Sequence, residues 1–142
     1  ESDKNLVKYN KGYIEIYIKE NYSEEKIQEL LEKWYLVRAK EKFQEVYDKV
    51  YSNFKGYKIE KPKIKIRKMK TRWGSYTPNT NTIFLNLELI KVSLACLEYV
   101  IVHEIIHVIH LNHSKKFYGT LANILPDWEE RKKILEKEGI NL

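Results

Sequence analysis

The chain has a single cysteine among 142 residues, Cys96, so it can form no internal disulfide, and the apolar stretch around it reads as a burial site for an inert thiol. That usage fits a reducing cytoplasmic compartment. No charge-free apolar run reaches the roughly eighteen residues a membrane-spanning helix needs. The first residues are charged and polar, and no secretory signal is expected. Repeats and low-complexity segments are absent. So are a Gly-rich phosphate loop and the carboxylate cluster typical of magnesium sites, which argues against nucleotide chemistry. The only methionine, Met69, precedes every histidine. What is present is 43% hydrophobic content, enough apolar material for one core, so residues 1–142 are expected to form a single domain.

The four histidines all fall in one eleven-residue stretch, His103 to His113, which contains H-E-x-x-H. Residues four apart on a helix lie about 40° apart around its axis. His103 and His107 can therefore present two imidazoles to one metal ion with Glu104 beside it. An isolated histidine on an apolar helix face is ordinarily a core residue with one satisfied partner. Here the apolar run from Leu94 to Val102 leads straight into the motif, and Ile105, Ile106, Val108 and Ile109 continue it. Burying several imidazoles and a carboxylate in such a helix is costly without a partner, and a dication supplies one.

A catalytic zinc usually takes three protein ligands and keeps the fourth position for water. His113 is the first candidate for the third, because Asn112 tolerates the left-handed conformation that turns a chain back and Ser114 can cap a following helix. Glu129 or Glu130 is the second candidate, as a carboxylate from a later helix. His110 lies a turn beyond His107, too far for all three helical histidines to chelate one ion unless the helix breaks, and reads as a helix-end residue. The His107 to His113 spacing equals that of the metzincins, but position 110 is His where they have Gly, and no methionine follows to form their Met-turn.

The short runs Arg72-Trp73-Gly74-Ser75, Ile83-Phe84-Leu85-Asn86, Tyr99 to Glu104, Asn112-His113-Ser114 with Phe117, and Pro126-Asp127-Trp128 resemble the YgjP-like metallopeptidase family, with Tyr76 and Tyr118 departing from its usual residues. The resemblance implies a minimal zincin-like α+β fold, one zinc ion on His103, His107 and His113, and Glu104 as general base. Nickel or cobalt can occupy the same ligands. Longer family members exist, and residues 1–142 correspond either to a short member or to the C-terminal part of a longer one.

The elements read as a small, mostly antiparallel sheet packed against a long N-terminal helix and the H-E-x-x-H helix, followed by two short helices. A strand or hairpin arm is expected over residues 12–18, and one long helix, or two joined near Trp34, from Ser23 to Phe54. The clean alternation of residues 63–67 predicts a strand with one basic face. Residues 72–76 and 82–87 predict a hairpin around a turn-rich link, and helices are expected from Ser114 to about Ile124 and from Pro126 to Glu138. In resembling zincins a sheet edge beside the active-site helix takes up an extended substrate. The strand over 82–87, or its neighbour, is the candidate here. Asn86 reads either as a substrate-orienting residue or as a strand-end turn residue, Trp73 and Trp128 as core or corner residues, and Tyr76 as an oxyanion donor by motif position alone.

Zinc in a three-nitrogen site lowers the pKa of its water toward about 7, and Glu104 is placed to take the proton as that water attacks a peptide carbonyl. A closed structural zinc site is the opposing reading, but such sites usually employ cysteine. Net charge is +6, and Lys61, Lys63, Lys65, Arg67, Lys68, Lys70 and Arg72 crowd residues 61–72 without an acid among them. That segment reads as a solvated strand face or as a contact for an acidic or nucleic-acid partner. A zinc-dependent peptidase acting on peptide or protein is thus the leading expectation. A metal-dependent nucleotide phosphohydrolase and a basic nucleic-acid-associated module are the alternatives.

Overall fold

Residues 6–10, 13–17 and 23–138 are described by the computed structural model, and the chain divides into two compact units, 1–38 and 39–142. In the first unit Leu6–Asn10 (β1) pairs antiparallel with Tyr13–Tyr17 (β2), Leu6 opposite Tyr17 and Asn10 opposite Tyr13. β2 falls in the stretch whose β-branched and aromatic residues predict a strand, while the expected ends of that stretch, Gly12 and Ile18, lie outside the described residues. β1 has no counterpart in the sequence reading, because five residues that include Lys8 and Asn10 are too few for alternation to show.

Glu24–Tyr51 (α1) is one helix of 28 residues, unbroken at Trp34. Ser23 opens it, accepting from the Lys26 amide through its Oγ at 3.3 Å, with Glu24 and Glu25 in the first turn where the helix dipole favours acids. From Ala39 onward the helix belongs to the second unit and buries Ala39, Phe43, Val46, Tyr47 and Val50, a stripe at helical spacing. Tyr47 Oη donates to the Pro62 carbonyl at 2.5 Å, and burial drives its pKa upward. This anchors the segment that enters the sheet.

Lys63–Arg67 (β3), Gly74–Thr77 (β4) and Thr82–Asn86 (β5) form a mixed sheet in the order β3-β5-β4. β3 runs parallel to β5, whereas β4 runs antiparallel to it with Gly74 opposite Leu85. Among the described residues, with the separate β1-β2 sheet counted, two of the three strand pairings are antiparallel. The turn-rich link is a 3-10 turn over Pro78–Thr80 that closes on Asn81, whose φ of 48° is the left-handed conformation Asn tolerates. The hairpin's first strand starts two residues later than expected, at Gly74, and ahead of it the Trp73 and Arg72 carbonyls accept from the Asn86 amide and side chain. β5 is the central strand, with Thr82, Ile83, Leu85 and Asn86 buried. Both of its edges are therefore paired, and it cannot accept a further strand; the expectation passes to its neighbour β4, an edge of this sheet.

Leu94–Ile109 (α2) is capped by Ser93, Lys115–Ile124 (α3) by Ser114, and Trp128–Glu138 (α4) closes the described chain. α2 packs on α3, α4 and β4. Its residues Cys96, Leu97, Tyr99 to Val102, Ile105 and Ile106 are buried, which accounts for the nearly continuous apolar run. Arg131 ties α4 to α2 by donating to the Ala95 carbonyl at 3.2 Å and to Glu98 Oε1 at 2.7 Å. Burial pushes the Cys96 thiol pKa up, consistent with an inert core residue. Among the described residues no helix is long and apolar enough to cross a membrane.

Candidate metal centre

Helical spacing puts His103 and His107 on one face of α2, and the helix stops at His110, where φ is −131° and ψ 105°. The short loop that follows turns back, the Ser114 amide donating to the Asn112 carbonyl at 2.8 Å, and delivers His113. The ligand atoms of His103, His107 and His113 all lie within 4.8 Å of one another. Tetrahedral zinc needs nitrogens about 3.3 Å apart, from bonds of about 2.0–2.1 Å, so the observed spacing is within about 1.5 Å of what such an ion needs. Three imidazoles without a thiolate suit a borderline-soft ion with one open position. His110 is not in the set, although its carbonyl serves it. His107 Nδ1 lies 3.2 Å from that oxygen, and donation there leaves Nε2 for a metal. Glu129 and Glu130, the alternative third ligands, are exposed near the start of α4 and are not part of the cluster.

Burial lowers the His107 pKa, favouring the neutral imidazole that a ligand must be. Glu104 is only 5% exposed, with Oε2 3.2 Å from His103 Nδ1. Across from it, β4 passes so close that a β-carbon on Gly74 would stand 3.1 Å from Glu104 Cγ, 3.3 Å from Oε2 and 3.2 Å from the Phe84 carbonyl. Gly74 is what lets the strand lie against the carboxylate. Its presence in the Arg72-Trp73-Gly74-Ser75 run was legible, but its role needed the packing.

The histidines open into a cleft of about 640 Å³ lined by residues 72–76, by residues of α2 and by Lys132, Leu135 and Glu136 of α4. Trp73 is half-buried and lines this cleft instead of the core, whereas Trp128 packs on Tyr118 with ring centroids 5.4 Å apart. Tyr76 Oη donates to Asn81 Oδ1 at 2.7 Å, so its hydroxyl is committed to the hairpin turn. Asn86 is fully buried; it donates to the Met69 and Arg72 carbonyls and accepts from the Glu88 amide. It is a structural clamp and not a substrate contact. Tyr99 also lines the cleft, unremarked in sequence beyond its motif position, and burial, with Tyr118, Glu136 and Glu104 nearby, pushes its phenol up to about 12.

The basic segment does not act as one surface. Lys61 pairs with Asp48 at 2.8 Å and lies over Tyr47 and Tyr51, and the Arg67 guanidinium lies 3.9 Å from the Phe84 ring centroid. Lys63 and Lys65 are exposed on the sheet edge away from β4, and of the seven cations only Arg72 lines the cleft.

A match to the family described as YgjP-like, metallopeptidase domain, runs over residues 1–138. The fold is similar to that of the metallopeptidase zymogen jannalysin of Methanocaldococcus jannaschii, at 27% identity and a TM-score of 0.57 over 67% of this chain and 95% of that one. It is also similar to the metallopeptidase zymogen abylysin of Pyrococcus abyssi, at 21% identity and a TM-score of 0.58 over 67% and 90% of the respective chains. No curated protein matches. With three convergent imidazoles in a cleft and a family match over nearly its whole length, this chain belongs to the YgjP-like metallopeptidase domain family and is a metal-dependent peptidase.

Proposed function

We propose that the protein is a zinc peptidase with one ion held by His103, His107 and His113 and with Glu104 as general base. The observation that carries this reading is the convergence of three imidazoles within 4.8 Å beside a carboxylate that is 5% exposed, in the same cleft. A bound zinc ion supplies Lewis acidity, polarising a carbonyl and lowering the pKa of water. Glu104 Oε2 is occupied by His103, so Oε1 takes the proton of the attacking water and passes it to the leaving amine. The open edge of β4 takes up the peptide as an added strand, main-chain hydrogen bonds giving affinity that tolerates sequence variation. Residues 1–142 are read as one catalytic domain, because the family match crosses both compact units. The single buried thiol suits the cytoplasm.

Elemental analysis of wild type, His113→Ala and Glu129→Ala, with peptide hydrolysis by Glu104→Gln, tests the reading. Expected are about one zinc per chain in wild type and Glu129→Ala, little in His113→Ala, and metal without turnover in Glu104→Gln. Equal zinc in the two ligand variants, or appreciable turnover by Glu104→Gln, would sink it.

A further inference from the structure

We propose that Phe117 is the positioning residue that holds His113 in register with His103 and His107, an inference resting on the metal-binding reading above. Two of the imidazoles have hydrogen bonds to set their planes: His103 Nδ1 to Glu104 Oε2 and His107 Nδ1 to the His110 carbonyl, both at 3.2 Å. The ring of His113 has none among the described residues, and it sits on an exposed loop. What it meets is other rings: Phe117 at 4.8 Å between centroids and Tyr118 at 6.3 Å, besides the two histidines. Ligand histidines ordinarily rely on a hydrogen bond at the second nitrogen for their orientation, so His113 needs another means.

Phe117 supplies it by geometry. Its ring is fully buried and lies 5.0, 4.8 and 4.8 Å from the rings of His103, His107 and His113. The three imidazoles are themselves 5.1, 5.1 and 4.7 Å apart. Four centroids at nearly equal spacing make a tetrahedron with Phe117 at the vertex facing all three histidines, so a shift of this one ring moves every ligand. Against His113 the planes cross at 83°, the edge-to-face arrangement aromatic quadrupoles favour. The local chain makes the vertex stiff. Ser114 Oγ accepts from the Phe117 amide at 3.4 Å, so the cap that starts α3 also places Phe117 directly after the loop that carries His113.

The test uses the full chain loaded with zinc or cobalt, comparing Phe117→Leu and Phe117→Met with Leu121→Ala, an equally buried position one turn along α3. Three readouts are taken: zinc release to a chelator, the visible spectrum of bound cobalt, and melting of the metal-free protein. Both Phe117 variants are expected to release zinc about tenfold to a hundredfold faster and to alter the cobalt bands. Leu121→Ala is expected to lower the metal-free melting temperature at least as much while leaving release and spectrum as in wild type. If the leucine variant does not fold, the methionine variant, whose flexible side chain refills the site, gives the answer. Wild-type release and spectrum in a Phe117 variant, or the same changes in Leu121→Ala, would overturn the inference. A wild type that takes up neither metal overturns the metal-binding reading and this inference together.

Discussion

Gly74→Ala should slow catalysis while leaving the metal in place. The new methyl would stand 3.1 Å from Glu104 Cγ, 3.3 Å from Oε2 and 3.2 Å from the Phe84 carbonyl oxygen, each inside ordinary van der Waals contact. The Phe84 carbonyl belongs to the central strand and has little freedom to retreat. Glu104 must therefore give by a few tenths of an ångström, although His103 Nδ1 lies 3.2 Å from its Oε2. Overpacking of this kind costs about 1–3 kcal/mol. For a domain of this size that lowers the melting temperature by about 3–10 °C. Since a misplacement of about 1 Å can cost about a hundredfold in rate, kcat should fall by about tenfold to a hundredfold, with KM within about twofold. Steady-state hydrolysis of an extended peptide, elemental analysis and thermal melting on the same preparations decide it. Unchanged kcat in a destabilised variant would show that the glycine matters only for packing; metal lost in proportion to kcat would show that the methyl disturbs the histidines and not Glu104.

Gly119→Ala makes the contrasting case, because nothing lies within 4 Å of the added methyl in the middle of α3: stability should rise by about 0.5–1 kcal/mol in urea unfolding with activity unchanged, and any destabilisation would contradict the open space. Asn86→Ala strips hydrogen bonds from the Met69 and Arg72 carbonyls and the Glu88 amide at a fully buried position, so unfolding free energy should fall by about 3 kcal/mol or more, and a loss below about 1 kcal/mol would refute the clamp. Burial first, then Tyr118, Glu136 and Glu104, raise the Tyr99 phenol from 10.0 to about 12. Because the folded value exceeds the unfolded one, this contribution is fully present below the unfolded value of 10.0 and is lost as pH rises to about 12. Wild type should lose melting temperature more steeply than Tyr99→Phe across that window; parallel slopes would show that Tyr99 titrates normally.

The parts of the site that depend on neighbours along the chain were determined by sequence alone. His103, Glu104 and His107 share a face because helical spacing places them so, and the apolar run before them ensured that the helix would be buried. Ser93 and Ser114 cap where a short polar side chain precedes an apolar period, and β3 follows the alternation of Lys63 to Arg67. Tertiary structure decided what depends on distant segments meeting. That His113, and not Glu129 or Glu130, lies beside His103 and His107 turned on how the chain leaves α2 at His110, since all are chemically competent donors. β5 became the central strand and β4 an edge because strand order is a property of the assembled sheet, and no local pattern records it. The even basic charge of residues 61–72 was divided among an ion pair, aromatic faces, solvent and the cleft by whatever each side chain met. Gly74 carries no periodicity or charge that marks it in sequence, and the apolar period of α3 marks Phe117 only as a core residue. Their roles arise from a strand backbone against a carboxylate and one ring against three, contacts that exist only once the chain has folded.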